Sequence, residues 1–264
     1  MLLVIDVGNT ETVLGLFRGE TLAAHWRLSS TVHRTADECR ILLKMWADEK
    51  AMDLSGLRGA VLSSVVPSLT AVFTEMVEEG FGIKPVLVNS ETETGLQIRI
   101  ESPRTLGADR ICNAVAGFVR FGGPLVVVDF GTATTFDVVS AEGEYLGGAI
   151  ALGIKSAAME LHRVAAKLPK VDLVFPESTI GKTTETSMQS GILWGTAAMV
   201  DGMIERIAAE TGCFDIRVVA TGGLAGLLYG KSKRIRFVEP FLTLEGMRII
   251  YHKMKGENHQ GGKA

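Results

Sequence analysis

The sequence predicts an α/β protein made of two similar lobes, each a mixed β-sheet flanked by helices. The main observation is an internal repeat, because the pattern of residues 2–28 recurs at residues 125–152. Elsewhere, short apolar runs typical of strands alternate with amphipathic helical segments, which indicates the α/β class. The composition is that of a well-buried globular protein, since 47% of the 264 residues are apolar and only 7 are proline.

Each copy of the repeat predicts three strands in succession. The two copies have the sequences LLVIDVGNTETVLGLFRGETLAAHWRL and LVVVDFGTATTFDVVSAEGEYLGGAIAL. In both, an apolar strand ends in Asp-x-Gly, a Thr-rich turn follows, and a polar turn separates the second strand from the third. Asp6 and Asp129 occupy equivalent places, nearly half the chain apart. A meander repeated at this spacing predicts two lobes rather than one continuous sheet.

Helical segments follow each predicted meander. The first, at 35–50, begins with Thr35 and Glu38, which match the capping-box pattern. Its apolar stripe is predicted at Leu42, Met45 and Trp46. We predict further helices and strands in the rest of the chain: helices near 68–79, 107–120, 154–167 and 187–211, and strands at 60–63 and 217–220.

The repeat divides the chain into an N-terminal lobe at 1–116 and a C-terminal lobe at 117–254. Residues 255–264 are polar and glycine-rich, so we expect a flexible tail. A net charge of −3 gives no electrostatic basis for binding nucleic acid or an anionic membrane. No apolar run reaches the length of a membrane helix, and no basic leader precedes the first apolar residues. With only three, widely spaced cysteines, these features favour a cytoplasmic protein.

The segment Asp6–Thr10 has the composition of a phosphate-binding turn. Gly8 allows close approach of the backbone, Asn9 and Thr10 add polar donors, and Asp6 can bind Mg²⁺ directly or through a water. An ordinary hairpin turn uses the same residue types, so this segment alone leaves both interpretations open. The equivalent copy at Asp129 and a glycine pair directly after a strand, Gly222 and Gly223, favour a nucleotide site.

The segment Gly107-Ala108-Asp109-Arg110 begins the helix predicted at 107–120. A carboxylate in the first turn of a helix is stabilised as an anion, so Asp109 can accept a hydroxyl proton. Arg110 can bind a carboxylate or a phosphate with two parallel hydrogen bonds. Aspartate at a helix start is also a common structural cap, so the spacing alone does not make Asp109 a catalyst.

Six segments together resemble one known family, the type III pantothenate kinases. In chain order they are DVGNT at 6–10, GADR at 107–110, DFGTATTFD at 129–137, GGAIALGI at 147–154, GKTTETSMQSGI at 181–192 and ATGG at 220–223. Single segments of this kind are weak evidence, whereas six in order are highly specific. The resemblance implies an actin-like (ribonuclease H-like) fold with ATP in the cleft between the lobes. The same superfamily includes sugar kinases, acetate kinase, actin and heat-shock chaperone ATPases.

The resemblance also implies a reaction. It is the transfer of a phosphoryl group from ATP, with Mg²⁺, to the primary hydroxyl of pantothenate. The product, 4′-phosphopantothenate, is the first committed intermediate of coenzyme A biosynthesis. By position in the motifs, Thr132 contacts ATP from the second lobe and the first lobe supplies the phosphate turn, which consists of Asp6, Val7, Gly8, Asn9, Thr10, Glu11, Thr12 and Val13.

The family pattern assigns the substrate side as well. It implies that Asp109 is the general base, that Asp129 binds K⁺ or NH₄⁺, and that Thr184 contacts pantothenate in a homodimer. The pantothenate pocket is lined by Gly107, Ala108, Asp109 and Arg110. One departure is Ile100, which stands where the family usually has a pantothenate-contacting tyrosine. Two alternatives follow: a related kinase or phosphatase for another small molecule, and a catalytically inactive accessory factor of a transcriptional regulator.

Overall fold

A computed structural model describes residues 1–256, which form two compact units. The first comprises residues 1–116 and the segment from Leu242 onward, and the second comprises Gly117–Phe241. Of the tail predicted at 255–264, residues 257–264 lie outside the described part of the chain.

The elements alternate between strands and helices, as the sequence predicts for an α/β protein. The strands are β1 (Leu2–Val7), β2 (Glu11–Arg18), β3 (Thr21–Ser29), β4 (Gly59–Ser64), β5 (Val86–Leu87), β6 (Gln97–Ile98), β7 (Leu125–Phe130), β8 (Ala133–Val139), β9 (Glu144–Leu152), β10 (Arg217–Thr221) and β11 (Phe237–Val238). The helices are α1 (Ala36–Glu49), α2 (Pro67–Phe81), α3 (Ala108–Phe121), α4 (Ile154–Val164), α5 (Thr184–Thr211), α6 (Ala225–Leu228) and α7 (Leu242–Met254). All predicted strands and helices are present, with ends shifted by a few residues.

The two units contain sheets of the same design. In the first, the strand order is β3-β2-β1-β4-β5, with β1, β2 and β3 antiparallel and β4 and β5 parallel to β1. In the second, β9, β8 and β7 form the antiparallel meander, and β10 and β11 run parallel to β7. The internal repeat therefore corresponds to two equivalent mixed sheets, and this part of the prediction is confirmed.

Helix α1 begins at the predicted capping box. The Thr35 side chain accepts a hydrogen bond from the backbone N–H of Glu38, and the Thr35 N–H donates to Glu38 Oε2 at 2.7 Å. The predicted apolar stripe is wrong at Met45, whose side chain is 61% exposed. The buried face instead consists of Cys39, Leu43 and Ala47. Two of these residues are small, so a search for large apolar side chains selects a neighbouring face of the helix.

Helix α7 packs against β1 and β4 of the first unit. The repeat predicts a C-terminal lobe at 117–254, whereas residues 242–254 group with the first unit. A Cβ at Gly246 would overlap the carbonyl of Cys112, so the backbones of α7 and α3 approach each other closely at this point. Helical periodicity identifies the buried face of such a helix but does not say which sheet covers it.

The second unit contains the longest helix of the described residues, α5. Thr183 precedes it and accepts from the Thr186 N–H at 3.1 Å, while the Thr183 N–H donates to Thr186 Oγ1 at 3.0 Å. This reciprocal cap extends the helix three residues before the predicted start at 187. Within residues 1–256, no helix has the length and apolar character needed to cross a membrane.

Candidate active site

The Asp6–Thr10 segment forms a tight turn between β1 and β2. The Gly8 N–H donates to the Glu11 carbonyl at 3.0 Å, and Asn9 and Thr10 are exposed. A Cβ on Gly8 would lie only 3.0 Å from that carbonyl oxygen, so the turn is closed around a position with no side chain. The segment is thus a hairpin turn, as one interpretation predicts, and it also presents a polar tip to solvent.

The remaining residues of the predicted phosphate turn lie at the start of β2. Glu11 is exposed and forms an ion pair with Arg27 at 2.9 Å. Thr12 is buried, and its hydroxyl lies 2.9 Å from the Ser30 hydroxyl. Val13 is half-buried and is the antiparallel partner of Asp6 across β1 and β2. These residues hold the base of the hairpin, whereas residues 8–10 form its tip.

Asp6 is half-buried at the carboxyl end of β1. Its Oδ1 accepts a hydrogen bond of 2.9 Å from the hydroxyl of Ser63. Ser63 is fully buried on β4, directly beside Asp6 in the parallel register. The carboxylate therefore has a hydroxyl partner from a strand that is distant in the sequence, and this partner fixes one of its oxygens.

Asp109 lies in the first turn of α3, which begins at Ala108. Its Oδ1 accepts a hydrogen bond of 2.8 Å from the backbone N–H of Arg110. Burial raises the pKa of the Asp109 carboxyl above its ordinary value, and the hydrogen bond and charge of Arg110 oppose this only in part. Asp109 is therefore a stronger proton acceptor than an ordinary, solvated aspartate.

Gly107 sets the position of the Asp109 side chain. A Cβ at Gly107 would overlap Asp109 Oδ1 and would lie 3.5 Å from a methyl group of Val65. The carboxylate thus folds back over the residue that precedes the helix, into space that only glycine leaves open. This explains in steric terms why glycine is found two residues before the aspartate.

The negative charges of Asp6 and Asp109 both act on one fully buried thiol, that of Cys112. Burial raises the pKa of Cys112 well above its ordinary value, and these two charges raise it further. The first unit therefore brings the Asp6–Thr10 turn and the start of α3 into one region. Sequence reasoning missed Ser63, because its contact with Asp6 depends on the pairing of two strands that are distant in the sequence.

In the second unit, Asp129 is half-buried at the end of β7, beside Thr221 in the parallel register. Gly222 follows with φ 88°, and a Cβ there would overlap Asp129 Oδ1 and lie 2.8 Å from the Phe130 backbone nitrogen. Positive φ and this close approach both require glycine. The second unit thus brings together the predicted cation residue and the predicted glycine pair, whose second member, Gly223, is exposed.

Thr132 forms the exposed tip of the second hairpin turn. Its carbonyl accepts a hydrogen bond of 2.7 Å from the Ser156 hydroxyl in the first turn of α4. A Cβ at Gly153 would overlap the same carbonyl, so the turn packs tightly against the start of that helix. The Thr132 side chain therefore extends from a turn whose backbone is fixed.

The other two predicted contacts with substrate lie at element ends. Thr184 is exposed at the first position of α5, directly after the capping Thr183. Ile100 is half-buried in a bend after β6, and its side chain carries no hydroxyl. Arg110 is half-buried next to Asp109.

Within residues 1–256, no cluster of three or more His, Cys, Asp or Glu side chains is arranged to hold a metal ion. Asp6 and Asp129 are therefore single carboxylates, each with neighbouring hydroxyl or backbone groups. A single carboxylate suits a cation that keeps several waters or is held mainly by phosphate oxygens, as Mg²⁺ commonly is.

A comparison with protein families places the sequence among known proteins. The model of a family described as type III pantothenate kinase matches residues 2–206. The chain belongs to the type III pantothenate kinase family. A curated type III pantothenate kinase from Moorella thermoacetica is 52% identical over 253 residues, covering 96% of this chain and 99% of the relative. One from Roseiflexus castenholzii is 49% identical over 251 residues, covering 95% and 98%. The resemblance inferred from the six segments is confirmed.

Solved structures with similar folds are much more distant in sequence. A ROK hexokinase from Thermus thermophilus has a TM-score of 0.52 at 15% identity, covering 96% of this chain and 99% of that chain. At such identity the likeness concerns the fold alone. It agrees with the predicted α/β fold, in which two mixed sheets are flanked by helices.

Proposed function

We propose that this chain phosphorylates the primary hydroxyl of pantothenate with ATP and so catalyses the first committed step of coenzyme A biosynthesis. Membership of the type III pantothenate kinase family supports the reaction. The observation that carries the mechanism is the half-buried Asp109, whose pKa is raised by burial and which shares a buried neighbour with Asp6. A proton acceptor and a phosphate-binding turn in one region are what phosphoryl transfer to a hydroxyl requires.

In this proposal Asp109 is the general base. The pantothenate oxygen bonds to the γ-phosphorus while the bond from phosphorus to the bridging oxygen of ADP breaks. The hydroxyl proton passes to the Asp109 carboxylate, and ADP leaves. Gly107 keeps the carboxylate in place, and a general base of this kind contributes about 10²–10⁴-fold to the rate.

ATP is held mainly by backbone groups and small side chains. The tip Gly8–Thr10 offers N–H groups and side-chain donors to the phosphates, and Asp6 accompanies Mg²⁺ directly or through a water. Mg²⁺, when bound, neutralises charge on the phosphate oxygens. Thr132 contacts ATP, and the Gly222–Gly223 backbone allows close approach of the nucleotide. The rest of the turn, from Glu11 to Val13, supports the hairpin.

We further propose that Asp129 binds a monovalent cation, K⁺ or NH₄⁺. Its half-buried carboxylate lies against Gly222, where a side chain would overlap it. Pantothenate is held by Gly107–Arg110 and Thr184, with Arg110 suited to the pantothenate carboxylate. At Ile100 the pocket has an aliphatic surface in place of a phenol. The two units serve as the N-terminal and C-terminal lobes.

A homodimer is also part of the proposal. In the second unit, large apolar side chains are exposed on one face of β9 and on α4, namely Ile150, Leu152, Met159 and Val164. An apolar patch of this kind is typical of a surface that another chain covers. A cytoplasmic location agrees with three cysteines that are all free, Cys39, Cys112 and Cys213.

The decisive test is phosphorylation of pantothenate by the purified protein, with and without K⁺ or NH₄⁺. Sugars, acetate and polyphosphate serve as competing acceptors or donors, because Ile100 favours the alternative of another small-molecule kinase. We expect cation-dependent formation of 4′-phosphopantothenate, and Ile100→Tyr should leave ATP use intact while it changes the KM for pantothenate. Cation-independent phosphorylation of a sugar would overturn the proposal. A protein that turns over no ATP would favour an accessory role.

A further inference from the structure

We infer that Ser63 is a positioning residue that holds the Asp6 carboxylate through a buried hydrogen bond. The inference rests on the proposed function, because it concerns the carboxylate assigned to Mg²⁺ and ATP. It adds a residue that none of the six family segments contains. Ser63 does not touch the reacting atoms in this proposal and acts through Asp6.

The Ser63 hydroxyl donates to Asp6 Oδ1 at 2.9 Å. Ser63 is fully buried, so solvent water does not compete with Asp6 as the hydrogen-bond acceptor of its hydroxyl. Strands β1 and β4 are parallel and place the two residues side by side. A hydroxyl carries one proton, and here that proton is committed to the carboxylate.

A purely structural role is the alternative, in which Ser63 only satisfies a buried polar group. The two roles differ in what they predict for Mg²⁺. Removing a partner that orients a metal-binding carboxylate costs about 10–100-fold in metal affinity or activity. Removing a structural hydroxyl lowers the Tm but leaves the Mg²⁺ dependence of nucleotide binding unchanged.

The test is calorimetric binding of a non-hydrolysable ATP analogue at a series of Mg²⁺ concentrations, together with kcat and KM. We expect Ser63→Ala to weaken Mg²⁺-dependent analogue binding by roughly tenfold or more. Binding without Mg²⁺ should change little. Ser64→Ala is the matched control, since it removes the adjacent hydroxyl of β4, which donates to the Val66 carbonyl instead.

The outcomes separate the two proposals. If the wild type binds the analogue but Ser63→Ala matches it at every Mg²⁺ concentration, the positioning role is wrong. If the wild type binds no ATP analogue, the proposed function fails instead.

Discussion

The turns after β1 and β7 are copies of one design, yet their aspartates have different surroundings. In the first unit, the parallel neighbour of Asp6 is Ser63, whose hydroxyl donates to Asp6. In the second, the parallel neighbour of Asp129 is Thr221, whose hydroxyl donates to the Glu239 carbonyl at 2.7 Å. The residue that packs on the Asp129 carboxylate is Gly222.

This difference agrees with the proposal that one duplicated framework binds two different cations. The meander and the two parallel strands beside it have the same order in both sheets, so both carboxylates come to the same edge of their sheets. A hydroxyl donor holds Asp6 in one orientation, as a carboxylate beside Mg²⁺ and phosphates requires. Beside Asp129, Gly222 leaves open the space that a side chain would fill, which agrees with the proposed monovalent cation. The following predictions test whether the two turns have these different roles, beginning with the largest expected effect.

The largest effect is expected at the first unit, where the proposal places the chemistry. Asp109→Asn removes the proton acceptor but keeps the shape of the side chain. We expect kcat to fall by about 10²–10⁴-fold with little change in the KM for ATP. Steady-state kinetics with pantothenate measures this, and circular dichroism checks the fold. Near-normal turnover would remove Asp109 from the mechanism and leave the first unit as a nucleotide-binding module.

A second variant disturbs the position of Asp109 without changing it. Gly107→Ala introduces a methyl group that would overlap Asp109 Oδ1, so the carboxylate must rotate. We expect kcat to fall by up to about 10²-fold while the Tm changes little. Gly56→Ala is the control, because its Cβ would make only an ordinary contact of 3.6 Å with Met1. Equal kcat values for the two variants would show that the overlap is harmless.

The third prediction concerns the second unit. Asp129→Asn removes the negative charge to which we assign the monovalent cation, so turnover should lose its activation by K⁺ or NH₄⁺. The Mg²⁺ dependence of ATP-analogue binding should stay that of the wild type. Titration of each cation against initial rate measures the effect. If Asp6→Asn abolished the K⁺ activation while Asp129→Asn preserved it, the roles of the two turns would have to be exchanged.

The smallest effect is a change in stability with pH. Burial raises the pKa of Asp109, so ionising this group costs free energy in the folded state. The folded protein binds the proton more tightly than the unfolded chain. This tighter proton binding stabilises the folded state. The stabilisation is fully present below the pKa that Asp109 has in the unfolded chain, and it is lost as pH rises through the higher pKa that Asp109 has in the folded protein. Asp109→Asn avoids the loss, so its Tm should exceed that of the wild type at neutral pH. The difference should shrink in acid, and calorimetry across pH measures it.

The raised pKa of Asp109 can also be tested through activity, by measuring kcat/KM of the wild type as the pH is lowered. Activity should fall as Asp109 becomes protonated, at a higher pH than for an ordinary aspartate. A limb at the usual aspartate value would contradict the raised pKa.

The fold and the motif residues were predictable because their signals are local. The repeat, the capping box at Thr35 and the Asp-x-Gly turns all lie within a few neighbouring residues. Ser63 was not predictable, since its role depends on the register between β1 and β4, which are far apart in the sequence. The exposure of Met45 and the docking of α7 likewise depend on which surface packs against a helix. Periodicity reports that a helix has a buried face, but not what covers it.

The close approach of α7 to α3 at Gly246 has a consequence for synthesis on the ribosome. The first unit contains the N-terminal residues, yet α7 is made only after the whole second unit. A nascent chain can therefore complete residues 117–241 while the support behind Cys112 is still missing. Domains usually fold in the order in which they are made. Here the first unit begins to be translated before the second, yet it is completed only after the second.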